Sequence, residues 1–180
     1  MGEQTLVLPD TLPKARPWLR FWARNFDLLI HALAIGIIWT ILHEESLDRI
    51  PDTAFSVLIG LMWAFLEWGY LVKFGTTPGK KIMGIQIRNR DGSRPMDKWI
   101  MLKRCRLVWL RGTGLGISII QIIANIVAYD NVKKHSTTTW DRDLDLVVTY
   151  KPISLMRMLI CPVFVIVFML LTIVVSLPIW

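Results

Sequence analysis

RFWARNFDLLIHALAIGIIWTIL, residues 20–42, decides how the chain is read. It is apolar enough to enter a bilayer, yet its first half carries Arg20, Arg24, Asp27 and His31. Spacings of 4, 3 and 4 residues set all four on one helix face, close enough to interact in pairs. Lipid cannot hydrogen-bond such groups, so this face must turn toward other protein.

The rest of the chain supports a membrane setting. It is 53% hydrophobic with a mean hydropathy of +0.46, more apolar than an ordinary soluble domain of 180 residues. Residues 158–180 run 23 positions without a charge, roughly the thickness of a bilayer core at about 1.5 Å per residue. Residues 1–16 form a short polar tail with no apolar core of a cleavable signal, so the first membrane helix is expected to remain as an anchor.

Hydropathy marks four segments, at about 25–42, 53–72, 108–128 and, within the C-terminal stretch 151–180, about 157–179. HEESLDRIPD, residues 43–52, carries a net −3. Between Lys73 and Arg111, eleven Lys/Arg oppose two Asp, a net +9 that exceeds the whole-chain charge of +7. The positive-inside bias therefore places loop 73–107 and the N-terminus in the cytoplasm, with residues 43–52 outside. The third segment is interrupted by Arg111, Gly112, Gly114 and Gly116. If it spans, residues 130–155 lie outside; if it is re-entrant, they lie in the cytoplasm.

The polar stripe recurs. Ser56, Gly60, Trp63, Glu67 and Tyr70 form one on the second segment, and Arg111, Gly114, Ser118, Gln121 and Asn125 form one on the third. The three stripes should face one another, with the fourth helix packed outside them against lipid. Asp27 lies two turns past Arg20, roughly 10 Å of rise, and Glu67 sits at similar depth. A charge held there costs about 2.5–3.5 kcal/mol unless it is paired or functional. Two readings follow. In one, Asp27 and Glu67 bind a proton or cation in an interior lined by Ser118, Gln121 and Asn125. In the other they are anchors, Asp27 with Arg20 or Arg24, and Glu67 with Arg111 or Tyr70.

GTTPGKKIMGIQIRNRDGSRP, residues 75–95, is not a phosphate loop: three residues separate Gly75 from Gly79, and Lys81, not Ser or Thr, follows Lys80. It reads as a Pro-Gly turn, a strand at Ile82–Ile87 and an Asp91-Gly92 turn. A helix starting near Pro95 sets Trp99, Met101, Leu102, Val108 and Trp109 among Lys98, Lys103, Arg104 and Arg106, a basic amphipathic pattern suited to a membrane interface and anionic lipid. No nucleic-acid recognition motif accompanies it. Cys105 and Cys161 form no disulfide framework, and His31, His43 and His135 lack ligand spacing, so no metal is expected. Asp141, Asp143 and Asp145 alternate as they would along the solvated edge of a strand, without the glycine and glutamate of a calcium loop. With no nucleophile–base pair and no nucleotide loop, neither an enzyme nor a cofactor is expected. The expected fold is an all-α polytopic membrane protein of about four helices, the third spanning or re-entrant, with a short cytoplasmic β-hairpin and an interfacial helix.

Three motifs in order resemble the RDD family of small, mostly bacterial integral membrane proteins. R-F-W-A-R-N-F-D carries the family's arginine and first aspartate as Arg20 and Asp27. G-T-T-P-G-K-K-I-M-G matches its cytoplasmic signature through Gly75, Thr77, Pro78, Gly79, Lys80 and Gly84. W-D-R-D-L-D-L-V-V-T-Y places the second aspartate at Asp141, with Trp140 where the family usually has His. The resemblance covers about residues 16–150 and implies a bacterial inner-membrane protein. It implies ion or proton transport, cation–proton exchange included, with Arg20 holding the charge of Asp27 and a homo-oligomer completing the path. Alternatively it implies a non-catalytic adaptor or scaffold that offers its basic loop to a partner membrane protein or anionic lipid. Arg20, Asp27 and Asp141 would then be a structural pin, and an ion pair from the first helix to residues 140–150 would require that segment to be cytoplasmic.

Overall fold

A computed structural model describes residues 15–47, 49–95 and 97–177. Residues 1–14 of the polar tail and Asp48 of the acidic loop lie outside the described residues, and residues 43–47 of that loop continue the first helix. Among the described residues, three helices are long and apolar enough to cross a membrane: residues 17–42 of α1 (Pro17–Leu47), α2 (Asp52–Phe74) and residues 155–175 of α7 (Leu155–Ser176). The first span thus begins at Pro17 rather than near residue 25, which brings Arg20 and Arg24 inside the helix. α2 stops where Gly75 adopts a left-handed conformation (φ 70°) and returns its N–H to the Leu71 carbonyl. α7 packs on α1 through Phe26 and Phe164, buries Cys161 and Val165, and leaves most of its other side chains exposed, as a lipid-facing helix should.

The third expected segment is not one helix. α4 (Lys98–Leu107), capped by the Asp97 carboxylate on the Trp99 and Ile100 N–H groups, begins later than Pro95. It runs into a wide turn at Val108–Gly112 and then meets three successive left-handed residues, Gly114, Leu115 and Gly116 (φ 58°, 61° and 84°). These reverse the chain into α5 (Ser118–His135). The outgoing limb lies antiparallel to α2. Trp68 donates to the Lys98 carbonyl, and Gly116 packs so closely on Ser56 that a Cβ would come within 2.7 Å of its carbonyl oxygen. α5 returns to the start of α1, where the rings of Tyr129 and Trp18 meet at 5.7 Å. Both ends of 98–135 therefore lie at the end of the bundle where α1 begins and α2 stops.

The expected hairpin is absent too. Residues 78–82 form a short helix, α3 (Pro78–Ile82), and the strand follows it as β1 (Ile85–Asn89). Its antiparallel partner is β2 (Leu146–Tyr150), distant in sequence. The Asp91-Gly92 turn exists, with Gly92 at φ 81°, but leads to α4. Ile85 and Ile87 face a core shared with Met83, Met101, Cys105 and Val148. Both cysteines are buried and unpaired. Asp141 and Asp143 lie on α6 (Thr139–Asp143) and Asp145 in the turn after it, so they share no strand edge.

The described chain contains one unit twice. Gly75 and Ser136 each end a helix in left-handed backbone (φ 70° and 58°). Thr77 and Thr138 each precede a five-residue helix, α3 and α6. Gly84 and Asp145 are again left-handed (φ 65° and 55°), and β1 and β2 follow. The equivalence holds at a constant offset down to Ile87 and Val148, which pair with each other at the centre of the sheet. A strand pair in which each unit meets its own equivalent residue is what a two-fold axis through that point produces.

Candidate functional site

The repeat positions the charges. Thr77 and Thr138 both have their hydroxyls turned to aspartates. Thr77 Oγ1 donates to Asp27 Oδ2 at 2.5 Å, and Thr138 Oγ1 donates to Asp141 Oδ2 at 2.7 Å. The Gly79 N–H, near the start of α3, donates to the other oxygen of Asp27 at 2.6 Å. Asp27 is fully buried, held by two donors from a segment some fifty residues away. The expected pairing of Asp27 with Arg20 or Arg24 does not occur.

Arg20 reaches Asp141 instead, with Nη1 at 3.5 Å from Oδ2, while its Nε donates to the Tyr150 hydroxyl at 2.6 Å. This is the ion pair from the first helix to residues 140–150. Arg24 donates to the Gly112 carbonyl at 3.1 Å and lies over the Trp140 ring, 5.4 Å from its centroid. The ring at the family's usual His position is therefore a platform for a cation.

At the centre stands Arg104, 4% exposed. Its Nε donates to Asp141 Oδ1 at 2.9 Å and its Nη1 to Glu67 Oε1 at 3.3 Å. Lys80 closes on the same Glu67 oxygen. Glu67 thus pairs with Lys80 and Arg104, not with Arg111 or Tyr70; Arg111 meets Asp143 at the surface and Tyr70 meets His31. Along Lys80, Glu67, Arg104 and Asp141 the signs alternate, and the two ends occupy equivalent positions of the repeat. The cavity between these groups is only about 30 Å³.

Arg104 was hidden in the sequence by its basic neighbours. The signal that exposes it is the set Met101, Arg104, Cys105 and Val108, spaced as one helix face, three of them apolar and all buried. The other expected interior residues do not converge on Asp27. Gln121 lines a cavity with Asn25 and Ser56, and Asn125 lines another beside Trp18 and Tyr129. Ser118 opens α5, and its side chain lies outside what the structure describes.

Burial pushes the Asp141 carboxyl up, but the guanidinium groups of Arg104 and Arg20 and the Thr138 hydroxyl outweigh it and hold it below its ordinary 3.8. Cys105 is buried in the core with Met101 and Val148. Because Asp141 is more acidic folded than unfolded, its stabilisation is complete above pH 3.8 and is lost as pH falls through its lowered folded value. Thermal melts in detergent should show an acid-side loss of stability that is shallower in Asp141→Asn than in wild type.

The sequence profile of the RDD family matches residues 14–145, most of the chain and all of this charge network. The chain belongs to the RDD family. No curated protein and no solved structure matches it. With its three apolar helices, this RDD protein is an integral membrane protein. Within the matched residues, Arg20 joins Asp141, Asp27 joins Thr77 and Gly79, and Lys80 joins Glu67.

Proposed function

We propose that this RDD protein is a non-catalytic membrane scaffold whose signature residues form a closed ionic lock. The support is the closure itself. Each signature charge is engaged by buried partners, and the roughly 30 Å³ left among them has room for one or two waters, not for an ion path. The lock ties α1, α2, α4 and α6 into a platform of the β1–β2 sheet and the exposed face of α4, where Trp99 is 78% exposed, for a partner membrane protein. In this reading residues 98–135 dip into the bilayer as a hairpin. Loop 73–107 and residues 130–155 then share the cytoplasmic side of a bacterial inner membrane, as the net +8 of that loop favours.

One observation favours transport instead: a cavity of about 390 Å³ at mid-bundle, lined in part by Asn25, Ser56, Thr113 and Gln121. Proteoliposomes carrying a pH-sensitive dye, under sodium, potassium or proton gradients, separate the two. The scaffold reading expects no flux above protein-free vesicles from wild type or Asp27→Asn, and a lower melting temperature for the variant. Wild-type flux that vanishes in a folded Asp27→Asn protein would establish transport.

A further inference from the structure

A second charged site borders the lock and shares Thr77 with it, but its basic side chains take no part in the lock and its argument does not depend on the lock's role. Between the end of α2 and the start of α7 is a cavity of about 750 Å³, within the range of small-ligand sites, about 300–1,000 Å³. Lys81, Lys151 and Arg157 line it, and no acidic residue does. Among the described residues none of the three has a carboxylate partner; Arg157 donates to the Lys81 carbonyl at 2.7 Å, which holds the two rims together. Tyr70 and Phe74 also line it, at the last turn of a membrane helix, and the uncharged run of α7 begins directly after Arg157. Aromatic rings and basic side chains in this order mark the headgroup level of a bilayer.

The repeat supplies the comparison that points to a ligand. The equivalent of Lys151 in the other unit is Arg90, which pairs with Asp145 at 2.6 Å. The equivalent of Asp145 is Gly84. No side chain fits at Gly84, whose Cβ would lie 2.9 Å from the Lys151 carbonyl oxygen and 2.7 Å from Ile153. The base of the first unit is neutralised across the sheet by the carboxylate of the second; in the reverse direction Lys151 meets Gly84, which carries no carboxylate, and opens into a cavity at the membrane interface.

We propose that the cavity of Lys81, Lys151 and Arg157 binds the phosphate headgroup of an anionic phospholipid, with the acyl chains lying along exposed Leu155, Met156 and Leu159 of α7. A lipid fits better than soluble phosphate because the basic rim continues directly into this apolar face.

The test is native mass spectrometry of the detergent-solubilised full chain, titrated separately with phosphatidylglycerol, phosphatidylcholine and inorganic phosphate. Wild type is expected to retain phosphatidylglycerol well above phosphatidylcholine and to retain no inorganic phosphate at matched concentration. Lys151→Gln should weaken phosphatidylglycerol retention about fivefold, and the triple Gln variant at Lys81, Lys151 and Arg157 should bring it to the phosphatidylcholine level. Lys98→Gln with Arg106→Gln, on exposed α4, should change nothing. Equal retention of the two lipids, equal loss from the α4 variant, or inorganic phosphate bound as well as lipid would each overturn the proposal. Lys151→Arg, which keeps the charge, should retain lipid; its failure to do so would overturn the proposal as well. Each variant is melted first, and the exposed single substitution keeps the test decisive if the triple variant does not fold.

Discussion

Arg104→Leu is expected to cost about 3–5 kcal/mol, the largest loss from any single side chain of the lock. Among the described residues, Arg104 is the one cation that pairs with both Asp141 and Glu67. Without it Asp141 keeps Arg20 at 3.5 Å and Glu67 keeps Lys80, so two buried carboxylates share partners that sit at the edges. The penalty arises mainly because those two charges stay buried with no cation between them. Arg104→Lys should fall between leucine and wild type, because an ammonium cannot span both carboxylates as a planar fork does. Unfolding in a mixed-micelle denaturant series measures each value.

Gly79→Ala is expected to destabilise by about 3 kcal/mol or more, for a different reason. An added Cβ would stand 2.4 Å from the Ala23 carbonyl oxygen and 3.0 Å from the Asp27 carboxylate. Neither the Ala23 backbone nor the buried Asp27 can yield cheaply, so α3 must move off α1. That movement stretches the hydrogen bond from the Gly79 N–H to Asp27, a bond to a charged acceptor of the strong class. Gly69→Ala is the control: nothing lies within 4 Å of its Cβ, and alanine mid-helix should stabilise α2 by about 0.5–1 kcal/mol. Opposite outcomes at two glycines of one chain would separate close approach from backbone propensity.

What the sequence revealed and what it hid follow one physical rule. Features set by local spacing were legible: the apolar runs of α1, α2 and α7, and the placement of Arg20, Arg24, Asp27 and His31 on one face. Pairings made across long stretches of chain were not. The donors to Asp27 lie on the far side of α2, and spacing along α1 suggested Arg20 and Arg24 instead. β1 follows a turn signal that looked like half a hairpin, but its partner β2 comes after α4 and α5. The third segment had the hydropathy of a span, and the left-handed run at Gly114, Leu115 and Gly116 turned it back. The family motifs contain Arg20, Asp27, Lys80 and Asp141 but not Arg104, which pairs with Asp141 and Glu67 from outside all three.

The most direct test of the lock is a double-mutant cycle between Arg104 and Asp141, using Arg104→Leu, Asp141→Asn and the pair, each melted in the same detergent. The account predicts that the double variant is less destabilised than the two single losses combined, with a coupling of about 1–3 kcal/mol, because removing both charges leaves neither one buried alone. Losses that simply add would mean the two residues act independently, and the signature charges would not form a lock.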